Sequence, residues 1–158
     1  MEDIPDSHPR KASLLARSRL TEAAAEGLLA ESAMIAHGRG EAFDYLLGEK
    51  TSDSALKAIR ESAARLLRAD NPVISMNGNS TVLAGKDAIR VAAIIGCPIE
   101  VNIYYRTDER MAKLIATLES WKSEIAKEDV RVSNVEILGA NADGRIDGLE
   151  GPRAFCSS

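Results

Sequence analysis

The residues best suited to chemistry cluster in one pentapeptide, His37-Gly38-Arg39-Gly40-Glu41. Read from the sequence, an arginine between two glycines falls where one helix ends and another begins. Glycines, lacking a Cβ, let a backbone approach a ligand closely. The free N–H groups and positive dipole end of a new helix favour an anion. Arg39 adds a planar, two-pronged phosphate donor. A glycine-punctuated turn carrying a solvated arginine accounts for the same residues equally well. His37 reads as a general acid/base or phosphate donor, or as a histidine closing a helix. Glu41 and Asp44 read as groups that bind Mg²⁺ or orient an amine, or, for Glu41, as an ordinary acidic first-turn residue. His8 and Arg10 of Ser-His-Pro-Arg, with Arg17 beyond them, would complete an anion pocket; singly, each is an ordinary surface residue.

These side chains need a frame. The stretch 7–36 reads as helical, with Ser7 as cap ahead of Pro9 and Gly27 as a break. After that break a short helix covers 29–36 and stops at His37-Gly38. A third helix covers 41–47. A fourth follows the caps Thr51-Ser52-Asp53, with Leu56, Ile59, Ala63 and Leu66 on one face. The pattern changes at Asn71-Pro72. Strands are predicted near 73–76, 99–104 and 132–138. Between them lie a buried helix over 86–95 and a long one capped by Thr107, striped by Met111, Leu114, Leu118, Trp121 and Ile125. From Gly139 onward, with glycines at 144, 148 and 151, the chain reads as loop. The expected fold class is therefore α/β: an N-terminal helical region (1–70), then a Rossmann-like βαβαβ parallel sheet (71–158). The latter is the first half of a nucleotide-binding domain, incomplete at the C-terminus, and both regions form one continuous domain in a longer parent.

Ligands of parallel α/β sheets bind beyond the carboxyl ends of the strands. Those ends here are Asn77-Gly78-Asn79, Tyr105-Arg106-Thr107 and Gly139-Ala140-Asn141. Plain turn residues would look the same. No GxGxxG and no GxxxxGK[ST] occurs, so neither a dinucleotide fingerprint nor a Walker loop is supported.

Composition narrows the field. Of the 158 residues 45% are hydrophobic and 28% charged, the mix of a globular domain with a core. Each half, 1–70 and 71–158, carries 10 Lys+Arg against 12 Asp+Glu, so neither is a basic face for nucleic acid. Aromatics, at 4%, are too few for a base-stacking platform. Cys97 and Cys156 form no CxxC and lack a histidine at metal spacing, so no protein-held metal site is expected. The opening MEDIPDSHPRK lacks the apolar core of a signal peptide, and no apolar run reaches the ~20 residues of a membrane span. A cytoplasmic protein with reduced thiols is expected.

Five stretches together carry a resemblance: IPDSHPR (4–10), AHGRGEAFDYLLGE (36–49), NPVISMNGN (71–79), EVNIYYRTDER (100–110) and EILGAN (136–141). They resemble archaeal phosphopantothenate synthetases, the 4-phosphopantoate–β-alanine ligases, and AHGRGEAFDYL is the most distinctive. RIDGLEGPRAFCSS resembles a segment that in the family continues further, so a C-terminally truncated member is expected. Asp147 departs from the family's usual proline in that loop.

The resemblance implies a ligase that joins 4-phosphopantoate to β-alanine, giving 4′-phosphopantothenate on the archaeal route to coenzyme A. ATP becomes AMP and pyrophosphate through an acyl adenylate, with Mg²⁺ required and a homodimer as the working form. It implies Arg17 and Arg39 as ATP contacts. On this reading His37 and Glu41 are the catalytic candidates, and Asn77, Asn79 and Arg10 the substrate-binding ones. Arg17 and Arg39 are expected to point into one cleft, rimmed by Asn77 or Asn79. With half of a doubly wound sheet missing, this chain is expected to be inactive alone. The alternative is a non-catalytic fragment serving as a helical dimerisation or anion-binding module. A nucleotide-dependent oxidoreductase is disfavoured, because no glycine fingerprint follows the first strand.

Overall fold

The structure, a computed structural model, describes residues 4–141. Predicted features at glycines 144, 148 and 151, Asp147, Cys156 and RIDGLEGPRAFCSS lie outside the described residues. Five helices and three strands run in the order α1 (Lys11–Ala25), α2 (Ser32–Leu47), α3 (Asp53–Arg68), β1 (Ile74–Met76), α4 (Gly78–Ile95), β2 (Ile99–Val101), α5 (Asp108–Ile125) and β3 (Ile137–Gly139). The strands form one parallel sheet, ordered β1-β2-β3, in which Ile74 pairs with Ile99 and Ile99 with Ile137. The expected α/β class, with a helical N-terminal part and consecutive parallel strands, is what the chain adopts.

Local chemistry sets the boundaries. Ser52 caps α3 by accepting from the Ala55 N–H, and Thr107 caps α5 by accepting from the Arg110 N–H. Gly96 ends α4 in the left-handed region (φ 77°), its N–H donating to the Ala92 carbonyl at 2.8 Å. The core gathers Leu20, Met76, Ile89, Ile99, Val101, Leu114, Leu118 and Val132. Helix α1 thus shares one core with the sheet, joined by Leu28 and Leu29 of the α1–α2 connection.

Several expectations are corrected. Helix α1 starts at Lys11, not Ser7; residues up to Arg10 form turns, and Arg10 donates its N–H to His8 Nδ1. Helix α2 runs unbroken through His37-Gly38-Arg39-Gly40-Glu41, so no helix ends or begins there. A helical glycine costs about 1 kcal/mol against alanine, too little to stop a helix of this length. His37 is therefore not a helix-closing residue, and no helix N-terminus faces an anion at this point. Helix α4 begins at Gly78 rather than near Lys86, because Asn77 and Ser80 form a reciprocal capping box. It also shows solvent a face bearing Val91 and Ile94, so it is not buried all round. The third strand is only Ile137–Gly139; Val130–Asn134 is a 3₁₀ turn capped by Asp129. The second strand likewise stops at Val101.

Helices α4 and α5 meet at Gly85, where an added Cβ would stand 2.6 Å from Trp121 Cζ3. Gly85→Ala is expected to destabilise the fold by about 1–3 kcal/mol, because two packed helices must separate. Gly40→Ala, at a position with nothing within 4 Å, is the control. Denaturant midpoints measure both; equal midpoints for the two variants would show that the helices do not pack this closely.

Candidate functional site

Helices α1 and α2 lie side by side and place the charged residues between them. Glu41 is the centre: its Oε2 accepts from Arg17 Nη1 at 2.6 Å and its Oε1 from Ser13 Oγ at 3.3 Å. Arg10 Nη2 stands 3.6 Å from the same Oε1. Arg10 also pairs with Glu49 and Tyr45, and its guanidinium lies 4.3 Å from the Tyr45 ring centre. The hydrogen bond to Glu49 raises the pKa of Arg10, with the nearby Tyr45 and Glu41 acting in the same sense. His37, one turn before Glu41 on α2, brings Nε2 to 3.9 Å from Glu41 Oε1. That distance is too long for a hydrogen bond, and His37 Nε2 is buried without a partner among the described residues.

One further turn back along the same face of α2 is Ala33, whose carbonyl accepts from Asn79 Nδ2 at 2.9 Å. Here a cleft of about 220 Å³ opens between α2, the start of α4 and the chain leaving β2. Asn77, Gly78 and Asn79 line one side, Ala33 and Ala36 another, and Tyr104, Tyr105 and Arg110 the third. Gly78 packs closely here: an added Cβ would stand 2.8 Å from Leu29 Cδ2, at the end of a side chain that would have to shift. The cleft lies at the carboxyl ends of β1 and β2, where parallel α/β sheets hold ligands.

The structure thus brings Arg10, Arg17, His37 and Glu41 into one cluster, and Asn77 and Asn79 into the adjoining cleft. It does not bring Arg39 to them. Two positions from both His37 and Glu41, Arg39 projects from another side of α2. It is exposed, and its side chain makes no hydrogen bond or ion pair among the described residues. The single cleft expected to hold both Arg17 and Arg39 is absent from these residues, because a continuous helix separates positions that a turn would have drawn together. Arg110 also lines this cleft and was not among the residues expected there from the sequence. It looked like one charged residue among several in a first helical turn, and only the tertiary cleft distinguishes it.

The described residues also limit what else can be held. No three of their His, Cys, Asp or Glu side chains cluster to hold a metal ion. Glu41, the acidic residue at the centre, is already engaged by two arginines. These residues therefore do not compose a Mg²⁺ site. No helix among them is long and apolar enough to cross a membrane.

A parallel α/β unit with a largely apolar cleft at the carboxyl ends of its strands belongs to the class of sheets that hold ligands at that end. The chain is a member of the phosphopantothenate/pantothenate synthetase family, whose model matches residues 54–158. It is similar to the 4-phosphopantoate–beta-alanine ligase of Thermococcus onnurineus, 42% identical over 153 residues, covering 97% of this chain and 55% of that protein. The ligase of the same name from Methanosarcina mazei is 42% identical over 158 residues, covering 100% of this chain and 58% of its own. That from Methanospirillum hungatei is 47% identical over 116 residues, 73% of this chain and 48% of its own. The chain spans about half the length of these curated relatives.

Proposed function

We propose that these residues form part of a ligase that joins 4-phosphopantoate to β-alanine, with ATP converted to AMP and pyrophosphate. The observation that carries this reading is the family membership over residues 54–158 together with relatives named 4-phosphopantoate–beta-alanine ligase. The geometry agrees with the demand of the chemistry. A carboxylate must approach a triphosphate, and fixed cations offset the repulsion. Arg10 and Arg17 are held by Glu41, and Arg39 is uncommitted. Glu41 acts in this scheme as the anchor that orients both guanidiniums. His37 places its imidazole beside this carboxylate, with Nε2 3.9 Å from Glu41 Oε1. Mg²⁺ would neutralise phosphate charge, and none of the described residues is assigned to hold it.

The test joins residues 1–158 to the segment that follows the matched region in the Methanosarcina mazei relative. With ATP, Mg²⁺ and both substrates, 4′-phosphopantothenate and AMP should appear in equal amounts. AMP without the amide product would sink the ligase assignment.

A homodimer belongs to the same proposal. Helix α3 buries none of its residues: within the apolar set Leu56, Ile59, Ala63 and Leu66, Leu56 is 43% and Ile59 58% exposed while Leu66 is half-buried, and Leu67 beside it is 65% exposed. Phe43, Leu46 and Leu47 of α2 are exposed as well. Apolar stripes of this extent mark interfaces, and a second copy supplies a matching stripe. Ile59→Glu is expected to convert a dimer into a 17.0 kDa monomer by light scattering. A wild-type chain that is monomeric at every concentration tested would refute the dimer.

A further inference from the structure

Arg10 and Arg17 share Glu41 but are committed to different degrees. Each guanidinium nitrogen of Arg10 has a partner among the described residues. Nε donates to Glu49 and Nη1 to the Tyr45 hydroxyl. Nη2 donates to Ser13 Oγ at 3.0 Å and stands 3.6 Å from Glu41 Oε1. The Tyr45 ring covers one face of the group. The Arg17 side chain is 50% exposed, against 24% for Arg10, and its Nη1 alone is engaged, by Glu41 Oε2. Its Nε and Nη2 have no partner among the described residues. Those two nitrogens form the planar edge that takes a carboxylate or phosphate through two parallel bonds.

The tethers of Arg10 join the start of one helix to the end of the next. Arg10 immediately precedes α1, Tyr45 stands in the last turn of α2, and Glu49 lies just beyond it. Helix α2 buries none of its residues, and only Ala33 and Met34 near its start pack against the core. From His37 onward α2 is tied to α1 and its leading residue by polar contacts: Glu41 with Ser13 and Arg17, and Tyr45 and Glu49 with Arg10. Fixing long, flexible side chains costs rotamer entropy, so a glutamate keeps one orientation only where its partners hold it. Ser13 and Arg10 hold the Oε1 side of Glu41, which leaves Oε2 turned to Arg17.

Resting on the ligase reading above, we propose that Arg10 is a positioning residue that meets no substrate and acts through Glu41 to hold Arg17 toward an anion. This replaces the substrate-binding role expected of Arg10 from its residue type. To take a ligand, Arg10 would have to release Glu49, Tyr45 or Ser13, whereas Arg17 releases nothing.

Two measurements test the assignment. In the ¹⁵N-labelled 158-residue chain, the heteronuclear NOE of the Arg17 Nε–H reports how rigidly that side chain is held. It should be high in the wild type and fall to that of a free surface arginine in Arg10→Ala, with the amides of Ile99 and Leu118 in the core unmoved. Tyr45→Phe and Glu49→Gln cut one tether each and leave Arg10, Glu41 and Arg17 in place. Each should lower the Arg17 value part of the way, which decides the matter even if Arg10→Ala does not fold. The second measurement is a double-mutant cycle on kcat/KM in the extended, active form. Arg10→Ala and Arg17→Ala should each cost about tenfold or more, as the loss of a hydrogen bond to a charged group does. The double variant should stay within about twofold of Arg17→Ala, because residues acting through one another are not additive. Arg10→Lys should not rescue, since a point charge cannot serve Glu49, Tyr45, Ser13 and Glu41 together. Losses that multiply in the double variant would make Arg10 a ligand contact in its own right and overturn the proposal. An Arg17 Nε–H left unchanged by Arg10→Ala, Tyr45→Phe and Glu49→Gln would overturn it as well. An extended wild type that made no amide would remove the ligase reading, and the NOE comparison, which needs no turnover, would still decide whether Arg10 orders Arg17.

Discussion

Supplied with ATP, Mg²⁺, 4-phosphopantoate and β-alanine, the 158-residue chain alone is expected to form no AMP above background. Doubly wound sheets bind their nucleotide in the crevice where strand order reverses. The strands described here run β1-β2-β3 without reversal, so no such crevice lies among them. The cleft at the carboxyl ends of β1 and β2, about 220 Å³, lies below the roughly 300–1,000 Å³ of clefts that enclose drug-sized ligands. The acidic groups for a metal are absent from the described residues too. Losing a single preorganised donor typically costs a factor of about 10²–10³. Without such a crevice among its described residues, this chain should turn over at least ~10³-fold more slowly than the form joined to the relative's further segment. The two polypeptides are compared in one coupled assay for AMP. Turnover by the 158 residues within tenfold of the extended form would show that the arrangement here is sufficient, and this argument wrong.

How much was legible in advance depended on whether the deciding force was local. The caps Ser52 and Thr107 act within three residues, and both helices start where those side chains place them. The alternation of strands and helices after Pro72 carried the parallel sheet. Helix α2 was misread because two glycines within three residues look like punctuation. Gly38 and Gly40 have open space around them, and nothing in this fold requires glycine at either position. Asn77-Gly78-Asn79 was taken for a turn, although Asn77 and Ser80 already had the spacing of a capping box. Val132 and Val135 are buried and so looked like strand, yet Asp129 caps a 3₁₀ turn beneath them. In the site, Arg10, Arg17, His37 and Glu41 could be proposed from residue type. Their convergence on one carboxylate is a property of how α1 packs on α2. Arg110 had no local mark, because its meaning comes from the Tyr105 carbonyl and from a cleft built by three separate segments.

Arg39, the proposed ATP contact that stands apart from the α1–α2 cluster, is where a stability effect and an activity effect are expected to separate most cleanly. Its side chain is exposed and has no hydrogen bond or ion pair among the described residues, so the fold does not depend on it. Arg39→Lys in the active, extended polypeptide should leave stability within about 0.5 kcal/mol of wild type, as surface changes do. It should nevertheless lower kcat/KM for ATP about tenfold or more, because a planar two-pronged phosphate donor becomes a point charge. Arg17→Ala should behave differently. Arg17 Nη1 lies 2.6 Å from Glu41 Oε2, and its removal leaves that carboxylate to Arg10 and Ser13. Activity and stability should then fall together. The comparison also addresses geometry, since Arg39 projects from a side of α2 away from the Arg17–Glu41 pair. If ATP bridges the two, the nucleotide must reach around α2, or the Arg39 face must be completed by a second copy. Mixing Arg39→Lys chains with Arg17→Ala chains tests the second route: a shared site regains up to about a quarter of wild-type activity in random mixed dimers. Wild-type kinetics for Arg39→Lys at unchanged stability would refute its role at the phosphates and leave it a solvated surface arginine.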